Sequence, residues 1–597
     1  MYQLLSAGIV ICLLGLLACT PKEESHDTAT NSEPKQQTLA VKYKSYPPEP
    51  LSSIDTSFND GPLQLRYHHM PWPQTAAMKN MLSTLKEQLL RIAEFCGEDT
   101  ARIGLPCNFY PSIEAKGLAL ENTHPCQADI PSKNCAIVVN EVFQTFETGP
   151  QNALLLRRYL GQPDLLLLEK GLSIYFNTHW QKKGYNFWAG RMTRSGNLPS
   201  IEELISNQYW ETASPLVSHT AAASLVSFLV EEWGTAAFLQ KYKSWQPSLE
   251  EARQIEKGWH HFLKKTAETT APEDEKLTYL KGFNFAHEGY SIYNGYGSAL
   301  SASALHEQAV MGANAIALVP YSYLRNPQKP SHFPFMSRAG TETDESLIVD
   351  FYHCNHLGMS TVLKPQVWLG HNSWPGAVEM TTEADWQEFF DFYYQWMRHY
   401  ALLAAIHEVD LLCIGVEFAQ TTLQRPEDWK ALIRKIRGIY YGPLTYAANW
   451  GEEFEQLSFW SELDYIGLNC YYPLSKKEAP TEENLSAAFD KILNKASDIS
   501  KAYGRPLIFT EIGFTSTPTP WVQPHVDGRG EAYSSTGQQA CYKIVMEALQ
   551  EQESWCRGIL WWKYPSYMRK KPTAHTGFTP KGKPAEEVLK AYFPRLP

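Results

Sequence analysis

Eight short apolar runs, each followed by a longer amphipathic segment, occupy the second half of this 597-residue chain. They fall at 282–286, 315–319, 360–364, 411–416, 443–447, 465–469, 507–510 and 558–562. Runs this short read as strands buried on both faces, and their alternation with helical segments makes the strands parallel. Eight is the number that closes a (β/α)8 barrel of the TIM type, so the fold class is α/β with a barrel over 280–597. In that architecture, groups that do chemistry stand at the C-terminal ends of the strands. Two carboxylates hold that position: Ile414-Gly415-Val416 runs into Glu417 after the fourth run, and Phe509-Thr510 runs into Glu511 after the seventh.

A lone Glu at a strand end reads equally well as a salt-bridged cap, but a pair on these two strands does not. Two carboxyls about 5 to 5.5 Å apart, one protonated and one ionised, are what retaining cleavage of a glycosidic bond requires. The composition suits a sugar ligand, since 13% of residues are aromatic, with 18 Trp and 32 Tyr, and such rings stack on sugars as readily as they fill a core. A formal net charge of −11 argues against nucleic acid or an anionic membrane surface as partner. Trp368, Trp374, Trp450, Tyr471, Tyr472, Trp561 and Trp562 cluster at strand ends, with Trp368 and Trp562 the favoured stacking platforms. Tyr471 and Lys364 are placed to support an ionised Glu511, and His371 follows the third strand, where it can meet a sugar hydroxyl. His353, Cys354 and His356 precede the third strand and read as surface and core, so no metal and no cofactor are expected.

Short stretches at and around the strands follow one another in order. They are Lys281-Gly282-Phe283-Asn284-Phe285, Gly312-Ala313-Asn314, Val362-Leu363-Lys364-Pro365, Ile414-Gly415-Val416-Glu417 and Gly442-Pro443-Leu444-Thr445-Tyr446-Ala447-Ala448-Asn449. Leu463-Asp464-Tyr465-Ile466-Gly467 with Tyr471-Tyr472-Pro473-Leu474, then Phe509-Thr510-Glu511-Ile512-Gly513, then Gly582-Lys583-Pro584-Ala585 complete the series. Together they resemble glycoside hydrolase family 113, a clan A family known for β-mannanase activity, over nearly all of 280–597. The resemblance implies that Glu417 is the general acid/base and Glu511 the nucleophile of a double displacement on a β-linked polysaccharide or oligosaccharide, with a β-1,4-mannan-type chain as the expected substrate. One position departs from the pattern. Clan A enzymes commonly carry Asn before the acid/base, and here Val416 stands there. A contact to the sugar 2-hydroxyl must then come from Asn449 or Asn469, or the preferred sugar differs. Action on another β-glycan, transfer to a sugar acceptor, and glycan binding without catalysis are the alternatives; the last conflicts with the presence of both carboxylates.

Ahead of the barrel, residues 46–270 mix helical patterns with short strands and read as α+β. Ala153-Leu154-Leu155-Leu156-Arg157-Arg158-Tyr159-Leu160-Gly161, the stretch 166–176 and the helical pattern over 218–234 resemble the scaffold of gluzincin metallopeptidases. The chemistry is missing: no HExxH occurs, and Lys170 stands where a zinc ligand would precede Gly171. Glu169 lies one residue out of register, about 100° around the helix from the ligand face. A degenerate, zinc-free domain is expected, joined to the barrel by a linker over 271–279. Cys96, Cys107, Cys126 and Cys135 either form two disulfides or remain free thiols. Residues 4–17 are apolar but short for a membrane span, and they end in Leu16-Leu17-Ala18-Cys19. This resembles a bacterial lipoprotein signal over 1–19, which implies lipid attachment at Cys19, a polar tether over 20–45 and a membrane-anchored location in the cell envelope, on the outer membrane or facing the periplasm. No Lys or Arg precedes the apolar run, which leaves a plain secretory signal or an uncleaved anchor open.

Overall fold

The computed structural model describes residues 54–61, 63–68, 76–100, 103–129, 133–143, 149–264, 277–370, 373–569, 571 and 575–597. The signal and tether expected over 1–45, including Cys19, lie outside these residues, as do 271–276 of the expected linker and His371.

The N-terminal half is built on five strands: β1 (Ile54–Asp60), β2 (Leu63–His68), β3 (Leu105–Tyr110), β4 (Cys126–Asp129) and β5 (Asn134–Val138). They lie in the order β1-β2-β3-β5-β4, with antiparallel pairs at both edges and parallel pairs between. Leu65, Phe109 and Ile137 from the sheet share an apolar core with Leu85, Leu155, Leu172 and Leu225 from the helices Ala76–Phe95, Gly149–Leu160, Leu166–Tyr175 and Pro215–Trp233. Cys107 and Cys135 face each other across β3 and β5, and all four cysteines are free thiols. Glu169 has a structural partner. It is buried, and Arg157 Nη2 donates to its Oε1 at 2.7 Å from the neighbouring helix. The buried carboxylate is thereby met by a counter-charge from the helix Gly149–Leu160.

The C-terminal half contains β6 (Leu280–Ala286), β7 (Ala315–Leu318), β8 (Tyr321–Leu324), β9 (Ser360–Leu363), β10 (Gln366–Leu369), β11 (Leu411–Val416), β12 (Leu444–Asn449), β13 (Tyr465–Cys470), β14 (Leu507–Ile512) and β15 (Cys556–Pro565). All except β8 and β10 close into one parallel barrel, in the order β6-β7-β9-β11-β12-β13-β14-β15 and back to β6. Each of the eight apolar runs has become a barrel strand. Beyond β7 and β9 the chain passes Pro320 and Pro365, which cannot donate to a ladder, and resumes as the short parallel pair β8 and β10.

Alternation along the strands sorts the side chains. Leu280, Ala315, Ala317, Val362, Leu411, Tyr465, Ile508 and Leu560 pack on one another inside the barrel. Their neighbours Phe283, Ile316, Leu412, Ile466, Phe509, Ile559 and Trp561 join the larger core under the helices. Trp561 is therefore not part of the sugar-facing aromatic group; it is fully buried and stacked on Tyr542, with ring centroids 3.8 Å apart. Where β6 meets β7 the backbones leave no room for a side chain, because a Cβ on Gly282 would run into the Ala315 carbonyl. Gly282→Ala should lower stability by about 1–3 kcal/mol, read as a reduced urea midpoint at unchanged slope. An unchanged midpoint would show that this seam is not tight.

Candidate active site

Both carboxylates stand just past a one-residue irregularity in the barrel ladder. On β14, Leu468 pairs with Phe509 but Asn469 pairs with Glu511, so one extra residue is inserted between them. Ile508 faces the barrel interior. Strict alternation would send Thr510 inward and Glu511 out to the helices. The extra residue lets both face inward, and Thr510 Oγ1 donates to Asn469 Oδ1 at 2.9 Å while Glu511 enters the mouth. On β11, Cys413 pairs with Thr445 and Val416 with Ala447, again one residue more than the partner strand has. Val416 packs inward on Cys413 and Ala447, and Glu417 follows with φ +55°, in the left-handed region.

Glu511 is 6% exposed and receives three donors. The Lys364 ammonium donates to Oε1, as does Gln366 Nε2 at 3.0 Å, and the Tyr471 hydroxyl donates to Oε2 at 2.8 Å. Donors on both oxygens and no acceptor are what an ionised carboxylate satisfies. Lys364 is fully buried, and its ammonium also donates to Asn284 Oδ1 at 3.0 Å. Asn284 in turn donates to the carbonyls of Thr510 and Leu560, so β6 braces the ammonium from the side. Burial, followed by the Glu511 charge, holds the Tyr471 phenol well above its usual range, which keeps it a donor.

Glu417 has a different environment. Asn469 Nδ2 donates to its Oε1 at 2.9 Å and Trp374 Nε1 to its Oε2 at 2.7 Å. Burial, and then the charge of Glu511, pushes its carboxyl up to about 6, against those two donors and the Lys364 charge. The two carboxylates thus feel each other, yet one is met by an ammonium and the other by two neutral N–H donors, an amide and an indole.

Of the residues read from sequence, Lys364, Asn469 and Tyr471 are brought to the carboxylates. Trp562 lies beside them, with the Lys364 ammonium 5.7 Å from its ring centroid. Trp368 is 60% exposed against Tyr321, an open apolar face at the mouth. Trp450 packs with Tyr472 and His525 past β12, away from both carboxylates among the contacts present. Asn449 is held by its backbone, whose N–H donates to Glu453 Oε2 at 2.7 Å. Two contributors were not singled out from sequence, Gln366 and Asn284, and Trp374, read there as a strand-end aromatic, contributes through its indole N–H. Gln366 carried a usable signal, being two residues beyond Lys364 on the same side of an extended segment.

Residues 286–583 match the family model of Glycoside Hydrolase Family 113. The barrel is a glycoside hydrolase domain. Solved structures similar to this glycosidase domain include a family 113 β-1,4-mannanase complex, 23% identical with a TM-score of 0.48, covering 53% of this chain and 99% of that one. A family 113 β-mannanase from Alicyclobacillus acidocaldarius is 23% identical with a TM-score of 0.46, covering 53% and 98%. A family 5 mannosidase from Rhizomucor miehei is 13% identical with a TM-score of 0.37, covering 53% and 93%. No curated protein matches the chain at a significant level. The family match begins at residue 286, so the peptidase-like reading of 46–270 has no counterpart in it.

Proposed function

We propose that the glycosidase domain hydrolyses a β-1,4-mannan-type polysaccharide by double displacement with net retention. The observation that carries the reading is the contrast between the two carboxylates, Glu511 met by an ammonium and two further donors, Glu417 pushed up to about 6. In the first step the Glu511 carboxylate attacks the anomeric carbon as the bond to the leaving sugar oxygen breaks, and Glu417 gives that oxygen its proton. In the second, water attacks the glycosyl ester, Glu417 takes a proton from it, and Glu511 departs as carboxylate. The family match over 286–583 and the ordered strand-end motifs support mannan as the substrate class. Trp368, Trp374 and Trp562 around the mouth offer faces for successive sugar rings.

Val416 stands where clan A enzymes commonly carry Asn. It faces Cys413 and Ala447 and offers no hydrogen bond, while Asn469 reaches Glu417 from β13 instead. The Asn469 amide donates to Glu417 and accepts from Thr510, so it orients the acid.

Two measurements test this reading. Proton NMR of mannotetraose hydrolysis should show the β-anomer of the new reducing end first, with no product from Glu511→Gln; the α-anomer first would mean inversion and a different mechanism. The acid works protonated, so kcat/KM should fall as pH rises through about 6. The Trp374 donor favours the ionised form of Glu417, and Trp374→Phe should therefore move that alkaline limb to higher pH. A limb that stays in place or moves down would contradict the assignment.

A further inference from the structure

We propose that Tyr446 and Glu453 are positioning residues for the acid/base of this glycosidase, acting through the backbone amide of Phe418 to hold Glu417 in its left-handed turn. The inference rests on the reading of Glu417 as acid/base. A non-glycine residue at φ +55° is strained by about 1–2 kcal/mol and keeps that conformation only where its surroundings impose it. Two hydrogen bonds impose it here. Glu417 N donates to Ala447 O at 2.9 Å, and Phe418 N donates to the Tyr446 hydroxyl at 2.6 Å.

The Tyr446 phenol has one proton, and Glu453 claims it. The hydroxyl donates to Glu453 Oε1 at 2.6 Å, which leaves its lone pair to receive Phe418 N. Glu453 is 2% exposed and is held in turn by Thr422 Oγ1 at 2.9 Å and Asn449 N at 2.7 Å. The Tyr446 hydroxyl and the Asn449 N–H donate to it, and the Thr422 hydroxyl shares its one proton between Glu453 and the Ala419 carbonyl, so an amide in place of Glu453 would turn an N–H toward one of these donors. Gly415 completes the arrangement. A Cβ there would come within 2.8 Å of both Trp429 and Tyr446, so only glycine lets the Tyr446 ring lie against the irregular part of β11. Neither Tyr446 nor Glu453 has a contact with Glu511, Lys364 or Tyr471 among those described, so their effect on the reaction passes through Glu417.

Leaving-group dependence separates this role from general support of the fold. A 2,4-dinitrophenolate departs without a proton, whereas a sugar alkoxide needs one, so a misplaced acid harms only the second. The test compares kcat/KM for mannotetraose and for 2,4-dinitrophenyl β-mannobioside in Tyr446→Phe and Glu453→Gln. The expected result is a loss of about tenfold or more on mannotetraose with less than about threefold on the aryl glycoside. Equal losses on the two substrates, or no loss, would overturn the proposal. Thr422→Val, which removes one donor to Glu453 and leaves Tyr446 intact, should show the same selectivity at smaller size and decides the matter should Glu453→Gln fail to fold; equal effects there count against it. Glu417→Ala is the reference. If that variant shows no such selectivity, the acid/base reading itself fails, an outcome distinct from failure of the positioning role.

Discussion

An ammonium with no solvent exposure has to be met by a carboxylate, and in this barrel Lys364 is met by Glu511. The two residues come from β9 and β14, which stand four strands apart in a ring of eight, so the pair spans the barrel mouth from one wall to the other. Removing one member of such a pair costs about 3–5 kcal/mol, a large part of the net stability of an ordinary domain. The remaining polar groups are arranged around that constraint. Asn284 on β6 holds the ammonium from one side, while Gln366 and Tyr471 supply the carboxylate with its other donors. In the double displacement proposed above, a carboxylate fixed on three sides needs little reorganisation when the substrate arrives.

Glu417 shares this electrostatic setting without sharing the ammonium as a hydrogen-bond partner. Its carboxyl rises because it is buried and because Glu511 is charged, and it stays within reach of the proton transfer that a leaving sugar requires. Ladder irregularities on β11 and β14 make the arrangement possible. Each lets a strand that is otherwise packed on both faces deliver a carboxylate to the mouth, at the point where regular alternation would have placed an apolar side chain or the wrong face.

Eight strands were legible in the sequence because a strand buried on both faces must be apolar throughout, as Leu411-Leu412-Cys413-Ile414-Gly415-Val416 is. Glu417 and Glu511 were legible because a carboxylate directly after such a run has few structural uses. The irregular registers were not, since they depend on pairing with strands twenty or more residues away that no local pattern encodes. Trp561 and Trp562 illustrate the same limit: adjacent residues on one strand take opposite faces, and only the register says which one lies beside Lys364. Gln366 was hidden because Pro365 marks an apparent end to the third strand, whereas the chain resumes as β10 on the far side of it.

The nucleophile can be identified by covalent capture. Inactivation with 2-deoxy-2-fluoro-β-mannosyl fluoride, followed by mass spectrometry of the digested protein, should place a single fluoromannosyl adduct on the peptide containing Glu511. An adduct on Glu417, or steady turnover of the reagent with no adduct at all, would contradict the double displacement and the roles given to the two carboxylates.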